Sequence, residues 1–153
     1  MRGQRKGIIG VGNLLLGDEG VGPHCISILL RQNVPDDILL FDGGTMGYGL
    51  MDVISALDAL VIVDCVNGGS VPGTIYIFDA ADINTVRDNY NTSVHQVGIC
   101  EILDTARLIY KAPRTTIIGV EPQKLDIGMT LSGPVSRQLD TVAKLALKEI
   151  AAN

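Results

Sequence analysis

The sequence predicts an α/β domain of three layers, with helices on both faces of a five-stranded mixed sheet. Strand-like apolar runs alternate with helix-like segments along the chain. Ala59 to Val63 is apolar at every position, as a central parallel strand buried on both faces must be. The final segment is amphipathic at helical spacing, with Val135, Leu139, Val142, Ala146 and Ile150 on one stripe. At 153 residues the chain is of single-domain size, long enough to bury roughly 68–70% of its unfolded surface. One domain is therefore expected over residues 1–153.

Each element has a local reason. Lys6 to Gly12 reads as a first buried strand. Val21 to Gln32 follows as a helix, and Pro23 is tolerated because a first-turn N–H has no intrahelical acceptor to lose. Asp37 to Phe41 makes a second strand that ends at the turn Asp42-Gly43-Gly44-Thr45, and Leu50 to Leu57 has helical spacing. The third strand, Ala59 to Val63, stops at Asp64. Only the loop Asn67 to Gly73 separates it from a fourth strand, Thr74 to Phe78. Such a loop is too short for a crossover helix, so the fourth strand is expected to run against the third. Ser93 then caps a helix from about Val94 to Tyr110, Thr115 to Val120 is a fifth strand, and Pro134 opens the last helix.

Composition removes several classes of function. The core must be built from Ile, Val and Leu, since aromatic residues make up 4% of the chain and Trp is absent. Seventeen acidic residues against twelve basic ones give a formal charge of −5, and the Lys and Arg residues are scattered. Without a basic stripe to displace counterions, neither nucleic acid nor an anionic membrane surface is an expected partner. No apolar run approaches the roughly 18 residues of a membrane span, so no membrane insertion is expected. The charged start Met1-Arg2-Gly3-Gln4-Arg5-Lys6 does not read as an export leader. Gly7, Gly10, Gly12 and Asn13 interrupt the apolar stretch behind it, and Asp18-Glu19 stand where a cleavage site would lie. Cys25, Cys65 and Cys100 are odd in number and contain no Cys-x-x-Cys pair, which suits a reducing compartment, the cytoplasm.

Three polar segments follow predicted strands and meet at the carboxyl rim where ligands bind in such folds. They are Gly10 through Gly22, Asp64, and Ser93-Val94-His95-Gln96. The first opens like a dinucleotide loop, yet Leu15 occupies the place of the third glycine, and Leu14 to Leu16 would oppose a pyrophosphate. Asp42, the acid a ribose would want, comes late after Gly12. A His-Glu-x-x-His zinc motif is absent, since His24 and His95 are the only histidines. Gly68-Gly69-Ser70-Val71-Pro72 misses the nucleophile elbow by one position, and no aspartic-dyad motif occurs. What remains is Glu19, Asp64 and His95, one from each loop. Two carboxylates and an imidazole suit a borderline divalent ion such as nickel or zinc and leave coordination positions open.

Taken together, Gly10 to Gly22, Asp42-Gly43-Gly44-Thr45, Ile62-Val63-Asp64, His95-Gln96-Val97-Gly98 and Gly119-Val120-Glu121-Pro122 resemble the successive motifs of the nickel-iron hydrogenase maturation endopeptidases. The likeness spans nearly the whole chain in order. It implies a sheet ordered 2-1-3-5-4 with strand four reversed. It also implies an endopeptidase that removes a C-terminal extension from a hydrogenase large-subunit precursor after nickel insertion. By the same resemblance Glu19, Asp64 and His95 bind metal, Glu19 and Asp64 are catalytic, and Asp42, Gly43 and Gly44 belong to a substrate-recognition loop. The nickel would arrive with the substrate, other divalent ions could substitute for it, and the enzyme would act as a monomer.

Plainer roles stand beside these. Glu19 is also the acid a helix start favours, with Asp18 as its cap. Asp64 would serve equally to end a strand, His95 to open a helix, and Asp42 with its glycines to shape a turn. Two further functions use the same residues: a non-catalytic nickel-sensing or chaperone module, and a nucleotide-binding α/β protein built on the glycine-rich loop.

Overall fold

A computed structural model of the chain describes residues 2–82 and 94–153, without the side chains of 94–97. Five strands form one sheet in the order β2-β1-β3-β5-β4. Strand β1 (Lys6–Val11) lies parallel between β2 (Ile38–Gly44) and β3 (Ala59–Cys65), and β3 is parallel to β5 (Arg114–Val120). Strand β4 (Ile75–Asp79) closes the far edge antiparallel to β5. The expected order and the reversed fourth strand are both present.

The alternation of side chains along the strands divides the core into two layers. On one face Ile8, Val61, Val63, Cys65 and Ile118 pack against α1 (Val21–Leu29) and α4 (Gly133–Ala152). On the other, Ile9, Val11, Leu60, Ile62 and Ile117 pack against α2 (Met51–Ser55) and α3 (Val94–Ile109). Asp64 falls between Val63 and Cys65, so its side chain belongs to the second face, the one α3 covers. Helix α1 sits close on the sheet because two glycines meet. A Cβ on Gly10 would run into the carbonyl of Gly22, and one on Gly22 into the carbonyls of Val11 and Val63.

Boundaries differ from expectation where hydrogen bonding outside the local sequence decides them. Helix α1 ends at Leu29, since Arg31 and Gln32 donate to Ile28 and Leu29 in i to i−3 bonds that tighten the last turn. Strand β2 does not stop at Phe41. Asp42 still pairs with Gly10 and Gly44 with Val11, so the Asp42-Gly43-Gly44 segment expected in a turn is a bulged strand end. The helix expected over Leu50 to Leu57 is the shorter α2, preceded by a 3-10 turn at Gly47–Leu50. The expected cap Ser93 lies outside the described residues. Among those residues no helix is long and apolar enough to cross a membrane.

Candidate active site

The loop from β1 to α1 is held by a network that local sequence does not reveal. Asp18 is almost fully buried, and its carboxylate accepts hydrogen bonds from the backbone N–H groups of Gln123, Lys124 and Ser132 and from the Ser132 hydroxyl, all at 2.7–2.8 Å. The Asp18 N–H in turn donates to the Lys124 carbonyl, and Gly17 and Gly128 tie the same two segments together. Asp18 is therefore no helix cap: it fastens the loop to a segment more than a hundred residues away. Gly17 has φ +56°, and a Cβ there would press within 2.7 Å of the Lys124 carbonyl. Asp18→Ala leaves several donors without an acceptor and is expected to cost about 3 kcal/mol, read as a lower urea midpoint with an unchanged slope.

Glu19 stands next in that fastened 3-10 turn, Gly17–Gly20, and is half-buried. Gly12 brings it to Asp64. With φ +131°, Gly12 takes a conformation that suits glycine, and the place its Cβ would occupy is filled by the Glu19 carbonyl and lies 3.9 Å from Asp64 Oδ1. Asp64 is buried at the end of β3, where Oδ1 accepts the Cys65 N–H at 2.7 Å. Burial pushes its carboxyl well above the usual carboxylate range, the Cys65 N–H opposes that rise, and the charge of Glu19 adds to it. Two expected site residues thus stand near one another at the carboxyl rim, close enough for the charge of Glu19 to act on Asp64.

The same glycine links the pair to the expected recognition segment, because the Gly12 N–H donates to the Gly44 carbonyl at 2.9 Å. Asp42 is exposed and its Oδ1 accepts the Gly44 N–H at 3.0 Å, while Gly43 is buried with its missing side chain facing Ile9 and Leu50. His95 lies in the first turn of α3, on the covered face of the sheet that carries Asp64, and its side chain is outside the described residues. Among the described residues no three His, Cys, Asp or Glu side chains form a metal cluster. Cys65 packs in the layer with α1 and α4, where burial raises its thiol pKa and the nearby charges of Asp64 and Glu19 raise it further.

Glu121 is a second organising acid that sequence reading quoted only as part of a motif. Buried after β5, it accepts the N–H groups of Gly68 and Gly69 and the Tyr76 hydroxyl, and so shapes the loop that follows Asp64 and β3. A polar residue next to proline was the only local sign of it. The rim also carries apolar surface: Leu15 is 56% exposed, and Ile127 and Met129, beside the Gly128 that bonds to Leu15, are 91% and 64% exposed.

With this geometry in view, the comparisons with known proteins are consistent with one another. The family model for the hydrogenase maturation protease matches residues 23–149. The hydrogenase expression/formation protein HoxM of Azotobacter vinelandii is 37% identical over 147 residues, covering 94% of this chain and 71% of its own length. The hydrogenase 2 maturation protease of Escherichia coli is 34% identical over 128 residues, covering 80% of this chain and 77% of its own. Among solved structures, the hydrogenase maturating endopeptidase HybD from E. coli superposes with a TM-score of 0.88 at 28% identity, over 97% of this chain and 93% of that one.

Proposed function

Because the chain belongs to the hydrogenase maturation protease family, we propose that it removes the C-terminal extension of a nickel-iron hydrogenase large-subunit precursor once nickel is in place. The observation that carries this reading is the Glu19–Asp64 pair. A carboxyl that burial and a neighbouring carboxylate both drive toward its protonated form is a poor resident of a protein left alone. A divalent cation reverses that preference, so the donor set fits nickel presented by the precursor. Glu19, Asp64 and His95 would hold it. The ion supplies Lewis acidity to a peptide carbonyl or to water.

The chain's own groups account for the rest. Asp18 and Gly12 fix the Glu19 backbone, so the carboxylate is positioned before substrate arrives. Glu19, the more accessible of the two acids, is the group to take a proton from the attacking water, and Asp64 holds its place through the Cys65 N–H. The exposed Asp42 and the Leu15–Ile127–Met129 surface are suited to a protein substrate, whose docking would cover them. The enzyme would act as a monomer in the cytoplasm.

The test is to incubate the purified protein with nickel-loaded precursor and weigh the products by mass spectrometry. One cut near the precursor C-terminus is expected. An unchanged mass would overturn the peptidase reading and leave a nickel-sensing module in its place.

A further inference from the structure

Strand β2 is an outer strand of the sheet, and among the described residues no chain pairs with its free side. An edge strand turns part of its backbone N–H and C=O groups outward, and proteins commonly blunt such an edge with charge, proline or a bulge. Here Ile38-Leu39-Leu40-Phe41 carries neither charge nor proline, and the bulge comes only after it, at Asp42 to Gly44. Hollows flank this edge on both faces of the sheet. One of about 360 Å³, on the α1 side, is lined by Leu29, Leu30, Ile38 and Leu40. The other, of about 520 Å³, lies on the α2 side and is lined by Leu39, Ala56 and Leu57.

The edge leads to the candidate site. Because β2 is parallel to β1, its last residues reach the carboxyl rim, where the Gly44 carbonyl accepts the Gly12 N–H. We propose that the C-terminal extension of the precursor docks on the free side of β2 as an added antiparallel strand. The proposal rests on the peptidase reading above. Direction follows from the site: the cut and the nickel-bearing part of the precursor are at the rim, so the extension leaves from Asp42 toward Ile38, against the run of β2. Main-chain bonds to the open edge supply affinity, and alternate side chains enter the two hollows. Charge narrows the chemistry further. Asp42 is exposed at one end of the apolar run, and Asp36 and Asp37 are exposed at the other. The nearby cations are engaged, Arg5 with Asp58 and Lys6 Nζ with the Ile150 carbonyl. The edge therefore suits an apolar stretch with basic residues at its ends.

The experiment uses the full chain as wild type, Leu30→Lys and Leu39→Lys, one change in each hollow. Both leucines are well exposed, at 66% and 43%, so each variant should fold, and either one carries the test if the other does not. With nickel-loaded precursor each variant should raise KM by about tenfold or more with kcat little changed, the signature of lost ground-state binding. A synthetic peptide with the sequence of the extension, added to wild type near saturation, should slow amide exchange over Ile38 to Phe41 by about tenfold or more. Unchanged KM in the folded variants, or exchange at those amides that the peptide leaves unaltered, overturns the added strand. A doubled mass of the protein alone by light scattering, restored to that of one chain by Leu39→Lys, would give the edge to a second copy and overturn it too. No cleavage of precursor by wild type would overturn the peptidase reading, and the exchange measurement would still read the edge, so the two failures are distinguishable.

Discussion

Glu19→Gln is expected to lower kcat/KM for precursor cleavage by about 100- to 10,000-fold, the range lost when a positioned acid or base is removed, while the protein folds as before. Glutamine keeps the shape and one oxygen of the side chain, and the turn that carries residue 19 is held by Asp18 and by backbone bonds that the change does not touch. Asp64→Asn should lose processing as well, but with an opposite sign in stability. Its Oδ1 can still accept the Cys65 N–H. In the folded protein the Asp64 carboxyl binds its proton more tightly than in the unfolded chain, where its pKa is about 3.9, because burial dominates and Glu19 adds repulsion. The stability this group contributes is therefore present at low pH and is lost as pH rises through the raised folded value. Asparagine is neutral at every pH. The variant should melt above wild type at pH 7, with the gap closing as pH falls toward 4. A set of melting curves against pH, paired with product masses, checks both halves. A Glu19→Gln protein that processes at the wild-type rate would return Glu19 to the part of a helix-start acid, and an Asp64→Asn protein that melts lower at pH 7 would remove the argument from a strained acidic pair.

Much of this arrangement is legible without coordinates because it rests on local or periodic signals. Ala59 to Val63 is apolar at every position and forms the middle strand, and the reversal of β4 follows from a loop too short to cross over. Glu19 and Asp64 are legible because both follow strands of a parallel sheet, whose carboxyl ends share one rim. The supports of the site are another matter. Asp18 meets partners at 123, 124 and 132, and Glu121 meets glycines some fifty residues earlier, so no spacing within one chain announces either network. Asp-Gly-Gly is turn chemistry and predicts a turn at Asp42, yet pairing with β1 carries the strand through it as a bulge.

Cleavage should require nickel-loaded precursor and fail on the nickel-free form, even though the scissile peptide is the same in both. The expectation follows from the make-up of the proposed ligand set. Two carboxylates and one imidazole, without a thiolate, hold a borderline ion less firmly than closed Cys/His sites do. The isolated protein should therefore bind nickel weakly, and an ion already seated in the precursor would complete its coordination at the interface. Recognition would then depend on the metal, because a bound ion offsets the charge of Glu19 that acts on Asp64. Three measurements decide it: equilibrium dialysis of nickel against the protein alone, product mass from loaded precursor, and product mass from precursor stripped of nickel in the presence of a chelator. Weak binding with cleavage confined to the loaded precursor is the expected set. Stripped precursor cut at a comparable rate by metal-free protein would refute substrate-borne nickel as the trigger, and the chemistry would then fall to Glu19 and Asp64 acting as acid and base without it.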